Sequence, residues 1–377
     1  MAEGLKRKVS AATARAHTRK SKHKSPLSVS SGMIQNIMLL LLIGSLALAY
    51  QAIQAPPPNI CGSPGGPPIT APRIRISDGR HLAYKEHGVP KEKAKHKFIF
   101  VHGFDSYRNH AVVATDLSPE IIENFGIYIV SFDRPGYGES DPNPKRTAKS
   151  IAMDIEELAD QLGLGKKFYV IGFSMGGQVI WSCLEYIPHR LAGATLLAPV
   201  INYWWSGLPN DLTKEAYKLQ LPQDQWAVRV AHYTPLLIYW WNSQRWFPGS
   251  GVVARTPDNL SCQDKEIMLR VLSSRTVDPT PVRQQGEYES IDRDMIVGFG
   301  KWEFSPTNLT NPFPDNEGTV HLWQGDEDRL VPVSLQRYIA QQLPWITYHE
   351  LPGAGHMFPY ATGMSDAIIK AQLSIES

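Results

Sequence analysis

The chain has 377 residues, 42% of them apolar, and a net charge of +2, which excludes a disordered protein and leaves room for one large domain with an insertion. The charge is unevenly placed: residues 1–32 carry Lys6, Arg7, Lys8, Arg15, Arg19, Lys20, Lys22 and Lys24 against Glu3 alone. Setting that +7 aside leaves −5 for the remainder, so the folded part offers no basic footprint for nucleic acid.

Residues 1–32 read as a basic, disordered tail. Between Lys24 and Arg73 there is no Asp, Glu, Lys or Arg, and Met33 to Ile53 is dominated by Ile, Met, Leu and Ala. At about 1.5 Å per residue this segment reaches roughly 30 Å as a helix, the thickness of a bilayer core. It reads as an uncleaved signal anchor. A cleaved signal peptide, suggested by Ala47 and Ala49, and an organelle transit peptide, suggested by the Ser- and Ala-rich basic start, stay open. The positive flank precedes the apolar segment, which places the tail in the cytosol and the large domain in a lumen or outside the cell. The sequons Asn259-Leu260-Ser261 and Asn308-Leu309-Thr310 would be usable there.

Residues 54–72 hold Pro56-Pro57-Pro58, Pro67, Pro68 and Pro72 with Gly62, Gly65 and Gly66, a composition that forms neither helix nor interior strand. This is read as a linker. Arg73 to Ile76 and His81 to Lys85 flank Ser77-Asp78-Gly79, a hairpin signal. Lys97 to Val101 and Ile127 to Phe132 are short apolar runs, as expected of parallel strands covered on both faces. A helix follows over Ala148 to Leu162, where Ile151, Ile155, Leu158 and Leu162 recur at helical spacing before Gly163.

Phe168 to Ile171 is the next strand, and Gly172-Phe173-Ser174-Met175-Gly176-Gly177 follows it directly, with helical residues from Gln178 to Tyr186. A G-x-S-x-G turn between strand and helix holds its serine in a strained conformation, clear of the sheet. Later strands fit Ala194 to Leu197, Val320 to Trp323 and Thr347 to Leu351, and later helices Val333 to Leu343 and Ser365 to Leu373. The alternation predicts a doubly wound α/β domain over 73–201 and 317–377. Its regularity breaks over 202–316, which holds seven of the ten tryptophans and reads as a helical cap whose indoles either fill its own core or line a pocket.

A serine hydroxyl needs a base within hydrogen-bond reach, and the base needs a carboxylate to fix its tautomer. Val320 to Gly325 leads into Asp326-Glu327-Asp328, and Leu351-Pro352-Gly353-Ala354-Gly355 leads into His356, so an acid and a histidine follow the serine in order at strand ends. His87, His102, His110 and His321 are rivals for the base. The cysteines Cys61, Cys183 and Cys262 show no C-x-x-C spacing; Cys183 reads as a small buried apolar residue, and Cys61 to Cys262 is the one pairing worth testing. No metal-ligand cluster or phosphate-cradling loop is present in the sequence, and no cofactor is implied.

Residues 73 to 375 resemble the α/β-hydrolase superfamily, in its capped esterase and lipase-like branch. The resemblance is carried by Val101-His102-Gly103-Phe104, Asp133-Arg134-Pro135-Gly136-Tyr137-Gly138-Glu139-Ser140, the serine turn, Gly325-x-x-Asp328-x-x-Val331-Pro332 and Gly355-His356. It implies Ser174 as nucleophile, Asp328 as orienting acid through the Gly-x-x-Asp spacing, and His356 as general base. It further implies an oxyanion hole from the backbone amides of Phe104 and Met175, and structural roles for His102 and the 133–140 loop. The resulting expectation is a membrane-anchored serine hydrolase acting on a small, apolar carboxylic ester. The alternatives are a small-molecule receptor on the same fold, or a thioesterase, amidase or acyltransferase with the same residues. Serine at 174 speaks against dehalogenase and epoxide hydrolase chemistry, which use an aspartate there.

Overall fold

The computed structural model describes residues 31–274 and 280–374; most of the basic tail lies outside them. The chain divides into two compact units, 1–52 and 53–377. The described residues of the first belong to a single helix, Ser31–Ile53, whose last residue opens the second. Gly32–Ile53 is long and apolar enough to cross a membrane, with a mean hydropathy of 2.0.

The second unit is built on eight strands: β1 (Arg73–Arg75), β2 (His81–Gly88), β3 (His96–Val101), β4 (Ile127–Phe132), β5 (Phe168–Phe173), β6 (Leu191–Leu197), β7 (Val320–Gly325) and β8 (Ile346–Leu351). They form one sheet in the order β1-β2-β4-β3-β5-β6-β7-β8. The hairpin β1-β2 and the pair β2-β4 are antiparallel, and every other pair is parallel. Because side chains alternate across a strand, Ile99 and Val101 join the core on one face while Phe98 and Phe100 join the core on the other. Helices Ala148–Gln161, Met175–Tyr186 and Val333–Gln342 cover the first face, and Pro119–Phe125 with Met364–Gln372 cover the second. Burying both faces explains why the central strands read as unbroken apolar runs. The parallel strands point their C-terminal ends toward one edge, where ligands of open α/β sheets bind.

Between β6 and β7 the described residues form helices and turns, including Asn210–Lys218, Pro222–Tyr233, Cys262–Ser274 and Arg293–Phe299. Ala227, Val228, Ala231, Ile238, Met295 and Phe299 make a small core of this cap. Trp205 is buried with the main core and Trp302 packs against it; Trp204 stacks on His232 at 4.0 Å. Trp226, Trp241 and Phe247 form a cluster near the cap's outer surface, with Trp226 half exposed.

The 54–72 segment lacks helix and strand beyond the end of the first helix, as its prolines require, yet it is not a free tether. The Asn59 amide donates to the Gln285 carbonyl at 2.9 Å, and the Cys61 amide to the Gln285 side chain at 3.1 Å. Thr70 and Ala71 donate their amides to the Glu139 carboxylate at 2.7 and 3.0 Å. Cys61 is buried and Cys262 exposed, and all three cysteines are unbonded, which corrects the Cys61–Cys262 pairing. Burial pushes the Cys61 thiol up to about 11, with Glu139 adding to the shift.

Candidate active site

Ser174 follows β5 and precedes Met175–Tyr186, with φ 56° and ψ −117°. For a non-glycine residue this conformation costs about 1–3 kcal/mol and persists only where the surroundings enforce it. Here they do. A Cβ on Gly176 would lie 2.1 Å from the Val101 carbonyl oxygen, and one on Gly172 would lie 2.3 Å from that of Gly176. Only glycines let helix and strand pass this closely, and the turn so formed drives Ser174 out of the sheet.

Asp328 follows β7 and His356 follows β8. His356 Nε2 lies 3.0 Å from Ser174 Oγ, and its Nδ1 lies 2.7 Å from Asp328 Oδ2. An ionised carboxylate only accepts, so Nδ1 donates to it and the neutral ring turns Nε2, an acceptor, toward the Ser174 hydroxyl. Asp328 is itself fixed by the amides of Leu330 and Val331, at 2.8 and 2.9 Å, and by the Gln324 side chain at 3.0 Å. All three residues are buried. Burial pulls the His356 pKa down, but the charge and hydrogen bond of Asp328, and then the charge of Asp264, outweigh it and leave it above the ordinary 6.5. Asp326 and Glu327 are not part of this arrangement: Asp326 accepts from the Gly353 amide at 2.7 Å.

The rival histidines have other partners. His87 bonds Ser131, His321 bonds His349 and Thr319, and burial lowers His87 and His321 to about 4. His102 donates Nδ1 to the Gly103 carbonyl at 2.8 Å and accepts the Arg134 amide at Nε2 at 3.0 Å. It is a brace of the loop before Phe104. The Arg134 guanidinium donates to the His102 and Gly103 carbonyls at 3.0 and 2.8 Å and to the buried Asp294 carboxylate of the cap. Arg146 and Tyr137 also donate to Asp294, each at 2.8 Å. The 133–140 loop thus ties the cap to the turn that carries Phe104. The next residue, Asp105, sits at φ 51°, held by Arg283 and Arg255.

Phe104 and Met175 line the same cavity as Ser174 and His356. Among the described residues neither backbone amide has a hydrogen-bond acceptor, so both donors are available to a bound oxygen. That cavity is lined chiefly by apolar side chains, among them Val200, Val228, Val253, Met295, Phe299 and Leu330. None of the seven cap tryptophans lines it; Val228, Val253 and Met295 of the cap do, together with Tyr203 and Phe299. A second, wider space of about 330 Å³ also reaches Ser174 and His356 and is more polar, with Asp105, Ser106, His110, Arg255 and Thr256 at its wall.

Residues 98–371 match the model of a family described as the alpha/beta hydrolase family. The chain belongs to the alpha/beta hydrolase family. The chain is 29% identical over 127 residues to a Bacillus subtilis (strain 168) protein named as a 2-succinyl-6-hydroxy-2,4-cyclohexadiene-1-carboxylate synthase, a match spanning 33% of the chain and 42% of the relative. Among solved structures it resembles a thermophilic esterase from Thermogutta terrifontis at 19% identity and TM-score 0.52, over 82% of this chain and 100% of that one. It also resembles an enol-lactonase from Burkholderia xenovorans LB400 at 15% identity and TM-score 0.53, over 81% and 99% of the two chains. At these identities the likeness is one of fold.

Two carboxylates beside the site of this alpha/beta hydrolase were not read from its sequence. Asp264 accepts from the backbone of His356 and Met357, and Asp294 accepts from Arg134. The first had a local signal, because Ser261-Cys262-Gln263-Asp264 before an apolar stretch is a capping-box pattern.

Proposed function

We propose that the chain is a serine hydrolase that cleaves a carboxylic ester with an apolar acyl group through an acyl-enzyme on Ser174. The observation that carries this is the single imidazole of His356 within hydrogen-bond reach of both Ser174 and Asp328. In this reading Nε2 takes the proton of Ser174 Oγ as that oxygen attacks the ester carbonyl carbon. Asp328 stabilises the imidazolium that results. The amides of Phe104 and Met175 receive the charge that develops on the carbonyl oxygen, and positioned donors of this kind are each worth about 2.7–4 kcal/mol. Nε2–H then protonates the departing alkoxide, and a water activated by the same nitrogen hydrolyses the acyl-enzyme. The aliphatic lining beside Ser174 supports an apolar acyl group.

The apolar Ser31–Ile53 helix supports a single-pass membrane anchor, with the basic tail in the cytosol and the hydrolase domain in a lumen or outside the cell. A panel of 4-nitrophenyl esters of increasing acyl length, assayed with wild type and Ser174→Ala, tests the reaction. Hydrolysis that rises from acetate to medium chains and vanishes in the variant supports the proposal. Turnover of thioesters or amides but not of esters would redirect it.

A further inference from the structure

The loop that carries His356 is held from the cap. Ser261 and Asp264 open the helix Cys262–Ser274 with a reciprocal pair: the Asp264 amide donates to Ser261 Oγ and the Ser261 amide to Asp264 Oδ2, both at 3.1 Å. An ordinary capping acid keeps its remaining lone pairs in water. Here they are used elsewhere. The His356 amide donates to Asp264 Oδ2 at 3.1 Å and the Met357 amide to Oδ1 at 2.7 Å, while the Gly355 amide donates to the neighbouring Gln263 Oε1 at 2.7 Å. Three successive amides of the histidine loop thus end on two side chains of one cap helix.

Space makes the same point independently. A Cβ on Gly355 would lie 2.2 Å from Ser261 Oγ and 2.3 Å from both Asp264 oxygens. Gly355 has no positive φ, so its glycine answers to the packed carboxylate and not to backbone conformation. Asp264 is fully buried and has no lysine or arginine within ion-pair distance among the described residues. A buried charge without a cation costs several kcal/mol unless other groups satisfy it, and backbone amides do so here.

We propose that Asp264 is a positioning residue for His356, clamping the backbone of the base to the cap and placing a second negative charge beside the imidazolium. The proposal rests on His356 acting as the base. The imidazole ring meets Ser174 and, from the loop after β7, Asp328, while Asp264 from the cap helix takes the backbone amide of His356 and acts on the ring through its charge alone. Asp328 fixes the ring from its edge; Asp264 fixes the chain that bears the ring. Because the clamp belongs to the cap, the base is fully aligned only when the cap is seated. Met268, one turn along the same helix, lines the wider space beside Ser174, so a ligand there touches the element that holds the base.

The test is the pH dependence of fluorophosphonate labelling of the full chain, compared across wild type, Asp264→Asn, Asp264→Ala and Ser261→Ala. Asp264→Asn removes the charge and replaces one accepting oxygen with an NH2 that cannot accept a backbone amide, so at least one bond of the clamp is lost and the midpoint of its labelling rate moves to lower pH. Asp264→Ala frees the loop and lowers the rate by about 100-fold, the cost of misplacing a catalytic group by roughly 1 Å. Ser261→Ala loses the helix cap but retains the charge, and its midpoint stays with wild type. Wild-type rate and midpoint in Asp264→Asn would overturn the proposal. Should wild type not label at all, the base assignment fails separately, and amide hydrogen exchange over 355–357 decides the clamp. Faster exchange in Asp264→Ala than in Ser174→Ala supports it, and equal exchange overturns it.

Discussion

Asp328 holds His356 by a 2.7 Å contact to Nδ1 while its other oxygen is occupied by two backbone amides. The carboxylate therefore has one orientation and imposes one tautomer on the ring. Asp328→Asn preserves the shape but allows the amide to donate, which favours the tautomer with its proton on Nε2. We predict a fall of about 10⁴-fold in kcat, with little change in melting temperature. A loss below tenfold, measured on any ester that wild type turns over, would argue that Asp328 does not set the tautomer.

In the proposed mechanism His356 must be neutral to accept the serine proton. Burial opposes the charged ring, but Asp328 and then Asp264 prevail, and the His356 pKa lies above 6.5. Activity should therefore fall as pH drops through a value above 6.5, seen in kcat/KM against pH. Stability has the opposite sign. A histidine whose folded pKa exceeds its unfolded value stabilises fully below the unfolded value and ceases to as pH rises through the folded one. The melting advantage of wild type over His356→Gln should shrink across that window.

Val228 projects from Pro222–Tyr233 into the apolar cavity beside Ser174. Val228→Trp should lower kcat/KM for long acyl chains by about 10–200-fold relative to acetate, the usual cost of a few lost methylene contacts. A uniform loss across chain lengths would place the acyl group elsewhere, with the wider space lined by Arg255 and Thr256 as the next candidate.

The two sequons differ in the folded chain. Asn259 is buried, its side-chain amide donates to Asp224 at 2.7 Å, and Ser261 is fully buried. Asn308 and Thr310 are exposed. If the domain faces a lumen, Asn308→Gln should abolish a glycosidase-sensitive mobility shift and Asn259→Gln should not. Asn259→Ala should cost about 1–3 kcal/mol in urea unfolding by leaving the buried Asp224 short of a donor. A domain without any glycan in the full-length protein would contradict the lumenal orientation.

Much of the fold was legible because parallel strands covered on both faces leave apolar runs such as Ile127 to Phe132, and the serine turn and the histidine loop announce themselves by glycines. The cap was legible only as a gap in that rhythm. Its tryptophans left a core of the cap and a pocket lining equally open, because an indole serves both, and in the structure Trp205 and Trp302 pack with the main core while Trp226 sits near the surface. The docked 54–72 segment was hidden for a related reason: its partners Glu139 and Gln285 are remote in sequence, and proline content says nothing of where amides find acceptors. Asp264 had a capping signature, but its bonds to His356 and Met357 cross 92 and 93 residues.

The central claim is that Ser174 is a nucleophile activated by His356, and covalent labelling by a fluorophosphonate tests it most directly. Wild type should acquire one adduct on the peptide bearing Ser174, Ser174→Ala should acquire none, and His356→Ala should react at least about 10³-fold more slowly. An adduct on Ser174→Ala, or a wild type that stays unlabelled while folded, would contradict it.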